Sequence, residues 1–359
     1  MADPTDDYAS AVDEYLARAY EGDRRRAVLA RGGWDPTFAA ELADLGWYAL
    51  AVPESRNGLG EPLSTLGPVF AQYGRHLVAG PLLESTLLPA LLETDLLIRA
   101  VGTGAPPALV DPGITDHWTS DVGSVTLADG RLRGVVHAVR FAPQAEVLVV
   151  VAGSEHGPSI HVVDPRAPGV TVEDLASADP SATFGRVVLD DVEAGESAGD
   201  DVAVTRLRSW ARLLLACELG GLAQRCVERT LVHVREREQF GRPVGSFQAV
   251  KHIAATMHVR AAGLADLCTA ALSDADGASV DDLAVTAATV KAHAAHVAPL
   301  VCEDALQLQG GMGFTAENEL SAYYRHALAL RGWYGDPTEL ELRVGAAVLG
   351  TRPAPERQP

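Results

Sequence analysis

Between Arg235 and His252 the chain concentrates cations and aromatic rings. Arg235, Arg237, Arg242, Lys251 and His252 alternate with Phe240 and Phe247, and Gly241 and Gly245 interrupt the run. A guanidinium presents a planar fork of donors that suits phosphate oxygens, and an aromatic ring presents a stacking face. Further on, Gln307 precedes Gly310-Gly311, where a backbone without Cβ atoms can approach a phosphate or a base edge. The two segments together read as a dinucleotide cradle. Asp336 is a carboxylate available for acid–base work, although Asp followed by Pro337 is also a standard helix start. His293 and His296 stand three apart without a third ligand at metal geometry, so no metal site is expected.

Positioning these groups requires a sizeable scaffold, and 359 residues suffice for two or three units. Hydrophobic residues make up 47% and charged residues 21%, as in a folded water-soluble protein. The net charge of −19 speaks against a nucleic-acid face or an anionic membrane partner. An anionic ligand must therefore meet a local group of arginines, since the chain has only two lysines, Lys251 and Lys291. Cys217, Cys226, Cys268 and Cys302 show no CxxC spacing and read as apolar helix residues of a reducing cytoplasm. Neither a signal peptide nor a membrane-spanning run is evident, so a cytoplasmic location is expected.

The periodicity predicts an α+β chain of three parts. A helical domain over 1–104 includes helices at Ala9–Glu21 and from Pro36, with a turn-rich loop from Val52 to Gly60. A middle domain over 105–200 alternates short β runs with turn signals, as in a small antiparallel barrel or sandwich. Over 201–359, long helices joined by short loops predict a four-helix bundle.

The run from Arg235 to His252, with Gly221-Leu222-Ala223-Gln224-Arg225 before it, resembles the RxxFGxxxxxxQ signature of the acyl-CoA dehydrogenase family. Gln307 to Phe314 is similar to that family's QxxGGxGF loop, and Gly46-Trp47 and the Pro53 to Gly60 loop fit its N-terminal half. The resemblance implies the family's fold, FAD as cofactor, an acyl-CoA substrate and electron-transfer flavoprotein as electron acceptor. It places Arg237, Phe240 and Gln248 on the ADP half of FAD. Gln307, Gly310 and Gly311 would reach the site from a neighbouring subunit of a tetramer, and Arg212 would shape the acyl-CoA site. The run Arg24-Arg25-Arg26 is expected to be solvated helix charge, with a CoA phosphate as its other possible partner.

Two departures qualify that resemblance. The catalytic Glu of most members falls here on Tyr334, and the alternative Glu of a minority falls on Ala211. The stretches that flank the flavin ring in the family correspond to Ala108–Gly113 and Ala138–Pro143, and both lack the usual hydroxyl and indole groups. The pattern resembles the base-lacking subunit of heteromeric members, common among actinobacterial enzymes of steroid side-chain degradation. Such a subunit is expected to join a second acyl-CoA dehydrogenase chain in a heterotetramer. Two other readings stay open: a nitroalkane-oxidase-like flavoenzyme using Asp336 as base, and a non-catalytic scaffold.

Overall fold

The computed structural model describes residues 4–114, 124–195, 197–311 and 318–351, so Met312, Gly313 and Phe314 of the glycine loop lie outside the described residues. The chain opens with helices α1 (Pro4–Ala19), α2 (Asp23–Ala30), α3 (Pro36–Asp44), α4 (Leu63–His76), α5 (Leu82–Leu92) and α6 (Asp95–Gly102). Local chemistry starts them. Asp35 accepts from the Thr37 and Phe38 amides with Pro36 at the first turn of α3, and Thr94 caps α6 through the Leu97 amide. Tyr20 stacks on Phe38 with ring centroids 4.7 Å apart, in a core shared with Leu16, Leu66 and Phe70.

Strands β1 (Pro107–Val110), β2 (Val125–Ala128), β3 (Arg131–Arg140), β4 (Val147–Ser154), β5 (Gly157–Val163), β6 (Val170–Leu175), β7 (Phe184–Glu193) and β8 (Ser197–Gly199) follow. They form one sheet in the order β6-β7-β3-β2-β4-β5-β8, with β1 beside β4. The sheet is mixed, not antiparallel throughout as expected. β1 runs parallel to β4 from Pro107↔Val147 to Val110↔Val150, and β2 touches β4 in parallel at Thr126↔Gly153. Turn signals report only on neighbours in sequence, whereas β1 is a short buried run whose partner lies far along the chain. The β3–β7 register shifts between Val136 and Val139, and Ala138 and Phe141 there adopt positive φ. This irregularity re-aims the end of β3 toward the helices.

The remainder is helical: α7 (Asp201–Glu236), a two-residue-stranded hairpin β9 (Glu238–Gln239) and β10 (Arg242–Pro243), α8 (Gln248–Ala275), α9 (Val280–Gln309), α10 (Leu320–Gly332) and α11 (Pro337–Val348). Asp200, Ser279 and Asp336 cap α7, α9 and α11 through backbone amides. α7 crosses α4 backbone to backbone. A Cβ on Gly74 would lie 1.8 Å from the Glu218 carbonyl oxygen, and one on Gly221 would lie 1.8 Å from that of Ala71. No larger residue fits at either position without separating the helices.

Charged side chains then lock the layers. Asp111, at the end of β1, takes both Nε and Nη2 of Arg208 on α7, at 2.9 and 2.6 Å. Arg24 pairs with Glu41, and Arg25 and Arg229 both hold Glu319 at 2.6 Å. Arg25 is only 2% exposed, so the arginine run expected to be solvated is partly an interior anchor for the start of α10. Local periodicity could not show this, because Glu319 arrives from the other end of the chain.

His326 joins three layers: Nδ1 lies 3.1 Å from Asp179 Oδ2 and 2.7 Å from Ser181 Oγ, and Nε2 lies 2.8 Å from Glu218 Oε1. Burial opposes its charge, yet Asp179 and Glu218 overcome that and raise its pKa to about 9. Asp179, which burial pushes upward, is carried down to about 2 by His326 and Ser181. The raised His326 pKa means its contribution is complete below the ordinary 6.5 and fades as pH climbs through about 9. The lowered Asp179 pKa means its contribution holds above 3.8 and is lost as pH falls through about 2. His326→Gln, which strands two buried carboxylates, should cost about 3 kcal/mol, and calorimetry should show the Tm gap between wild type and variant steady between about pH 4 and 6.5 and narrowing toward pH 9–10.

Candidate functional site

The dinucleotide-cradle residues cluster at one end of the bundle. α8 runs back along α7 and α9 returns beside it, so the α7–α8 hairpin and the last turn of α9 share that end. Within the hairpin, Gln239 pairs with Arg242 and Glu238 with Pro243, leaving Phe240 and Gly241 as the two turn residues with φ of 54° and 74°. Two-residue loops with positive φ at both positions are the turns that match strand twist. Glycine takes that conformation freely, whereas Phe240 adopts it at a cost of about 1 kcal/mol. The ring is 92% exposed and meets Phe247 edge-on at 6.2 Å, with the Arg242 guanidinium 4.1 Å above the Phe247 centroid. Arg237 ends α7 with an exposed side chain while its carbonyl accepts from the Val244 amide. Gln248 opens α8 and is exposed too. Gln307, Gly310 and Gly311 are exposed at the end of α9, where Gly310 takes φ 64°. Beside the hairpin lies a groove of 580 Å³ lined by Leu231, Val234, Arg235, Pro243, Lys251 and His258 among others.

The other end of the expected site is closed. Tyr334 is 1% exposed at φ 60°, and its carbonyl accepts from Arg212 Nε at 2.8 Å. Lys291 Nζ, on α9, donates to the Arg331 carbonyl at 3.0 Å. Arg212 thus holds the loop between α10 and α11 by its backbone, and Lys291 holds the last turn of α10 that leads into it. Burial lowers Arg212 to about 10, helped by the charges of Arg343 and Arg208. Burial likewise lowers Lys291 to about 7, helped by Arg212. Arg212, expected beside an acyl-CoA, is directed at this loop. Asp336 accepts from the Thr338 amide at 2.9 Å as the cap of α11.

The segments assigned to the flavin ring pack on that loop. Arg140 lies 5.6 Å from the Phe141 centroid and 5.4 Å from that of Trp333. Trp333 meets Phe184 edge-on at 5.7 Å and Tyr334 at 6.4 Å. Arg140, Phe141 and Trp333 are 7%, 0% and 2% exposed, and Ala211 is fully buried. Glu84 on α5 completes the cluster; burial raises its pKa against the pull of Arg140, and Oε2 has no hydrogen-bond partner among the described residues. Burial, reinforced by Glu84 and Asp111, also pushes the Tyr334 phenol well above its ordinary value. Sequence reasoning missed Arg140, Glu84, Arg208 and Lys291. Their signal was a charge inside an apolar run, as in Leu82-Leu83-Glu84 and Val139-Arg140-Phe141.

A helical domain, a mixed sheet and a long-helix bundle bearing an exposed aromatic and arginine hairpin make up the scaffold. Residues 198–349 match the acyl-CoA dehydrogenase C-terminal domain. The acyl-CoA dehydrogenase FadE34 of Mycobacterium tuberculosis is 32% identical over 321 residues, covering 87% of this chain but only 42% of that protein. This chain therefore spans less than half the length of that relative. The acyl-CoA dehydrogenase IpdE2 of Mycolicibacterium smegmatis is 27% identical over 90% of this chain and 92% of its own length. Among solved structures, the ChsE4–ChsE5 complex from Mycobacterium tuberculosis superposes with a TM-score of 0.89 at 24% identity, over 98% of this chain and 99% of that one. Residues 198–349 are thus an acyl-CoA dehydrogenase C-terminal domain, and the chain over most of its length is similar to acyl-CoA dehydrogenases.

FAD is the cofactor of this family. The residues present fit its two ends differently. At the hairpin, Arg237, Phe240 and Gln248 are exposed and of the right chemistry for a pyrophosphate and an adenine. At the other end, Arg140, Phe141, Trp333 and Tyr334 fill the space between β3 and the α10–α11 loop with their own side chains. An isoalloxazine does not fit there.

The strained Phe240 gives a test. Phe240→Gly relieves the turn and should raise the stability of this chain by about 1 kcal/mol in denaturant unfolding. The same change should weaken FAD retention in the assembled protein, read from flavin absorbance after gel filtration. Unchanged retention would show that the ring serves another purpose.

Proposed function

We propose that this chain is the base-lacking subunit of a heteromeric acyl-CoA dehydrogenase, which introduces an α,β double bond into an acyl-CoA thioester. A second chain of the same family supplies the glutamate base and the ring contacts. The observation that carries the reading is Tyr334: at the position assigned to the family's usual base stands a buried phenol, in a loop tied down by Arg212. Ala211, the alternative position, is buried without any acid function. FAD accepts the hydride in this chemistry while a carboxylate takes the neighbouring proton. This chain's part is to hold the ADP half at Arg237, Phe240 and Gln248, with Gln307, Gly310 and Gly311 contributing across the interface. Electron-transfer flavoprotein is the proposed acceptor.

Two findings support a shared site. The superposing ChsE4–ChsE5 structure is a complex of two chains. FadE34 leaves more than half its length outside the match, enough for a second unit of this size. The engagement of Asp336 as a helix cap gives a nitroalkane-oxidase-like reading no support.

The test is turnover of acyl-CoA with an artificial electron acceptor, by this chain alone and co-expressed with its genomic neighbour. The chain alone should be inactive, and the pair active. In the pair, replacing the partner's glutamate by glutamine should cost at least about a hundredfold in kcat. Tyr334→Phe should change kcat by less than about twofold, because no step passes through the phenol. Turnover by the isolated chain overturns the proposal.

A further inference from the structure

All four cysteines fall into thiol pairs across the bundle, a feature that the proposed function does not use. Cys226 on α7 and Cys302 on α9 have Sγ atoms 3.7 Å apart and are both fully buried. Cys217 on α7 and Cys268 on the neighbouring α8 face the same space and interact thiol to thiol. The pairs differ in access. A cavity of 480 Å³ at the junction of α1, α4, α7 and α8 has both Cys217 and Cys268 in its wall, together with Gln72, Gly221, Gln224 and Thr269. Neither Cys226 nor Cys302 lines it. The cavity is open to solvent, and small residues at Gly67, Ala71, Gly220 and Ala265 leave the room beside the two thiols.

We propose that Cys217 and Cys268 form an oxidisable dithiol, reached through this cavity by hydrogen peroxide or a similar small two-electron oxidant, that closes to a disulfide stapling α7 to α8. One thiol attacks peroxide, its sulfur becomes a sulfenic acid and one water leaves. The second thiol then displaces hydroxide from that sulfur, forming the S–S bond and a second water. Two thiols thus lose two electrons and two protons, and one peroxide is reduced to two waters. Donation of its S–H to the Cys268 sulfur, together with burial, holds the Cys217 thiol well above its ordinary pKa, so the first step is slow at neutral pH and quickens in alkali. The second step is intramolecular and needs no diffusion. The staple joins the two helices whose hairpin carries Arg237 and Phe240.

Cys226 and Cys302 supply an internal control, since their sulfurs lie 3.7 Å apart and neither lines the cavity. The full-length chain is treated with graded peroxide at neutral and alkaline pH, alkylated, digested without reductant and mapped by mass spectrometry. The Cys217–Cys268 cross-linked peptide should accumulate about tenfold or more ahead of a Cys226–Cys302 peptide, faster at the higher pH, and vanish on reduction. Cys268→Ala should leave Cys217 as a sulfenic acid trapped by dimedone. Should that variant fail to fold, the wild-type map decides alone. Four free thiols after peroxide, or equal cross-linking of the two pairs, overturns the proposal.

Discussion

The close crossing of α4 and α7 is the constraint on which the molecule depends. At Gly74 and Gly221 the two backbones touch, and a single methyl at either would meet a carbonyl oxygen at 1.8 Å. That contact fixes a helix of 36 residues, and from it hang the groups that join the layers. Arg208 reaches the sheet through Asp111, Arg212 reaches the Tyr334 carbonyl, Glu218 reaches His326, and Arg229 reaches Glu319. Its far end delivers the hairpin. A shift of α7 would disturb every one of these together, since none has slack in its hydrogen-bond geometry.

Seen along α7, the chain divides its chemistry. At one end, polar and aromatic groups stay exposed at a conformational cost that folding alone does not explain, as with Phe240 in the left-handed region. At the other end, where a reaction would need space, Arg140 and Trp333 fill the volume, Arg212 holds the loop by the Tyr334 carbonyl and Lys291 holds the end of α10. Burying Arg212 and Lys291 is costly, and both lower their pKa in response.

Much of this was legible in the sequence, for local reasons. The helices followed from apolar spacing, from Pro36 as a helix start and from the Asp336-Pro337 cap, whereas the short hairpin between α7 and α8 did not. Tyr334 and Ala211 come from counting along the chain from motifs, and the proposed loss of the base rests on that count. What stayed hidden depends on distant pairing. Arg25 is buried because Glu319 meets it, β1 joins β4 in parallel, and Arg140 is tolerated inside because two rings flank it. None of these partners can be read from the residues nearby.

The central claim is that one flavin serves two chains, because this one offers the adenine end of a site and has filled the ring end. The direct measurement is the ratio of FAD to polypeptide in the purified complex, from flavin absorbance and amino-acid analysis. The account predicts one FAD for each pair of chains and none retained by this chain alone. One FAD per chain in the complex, or stoichiometric FAD on this chain by itself, would contradict it.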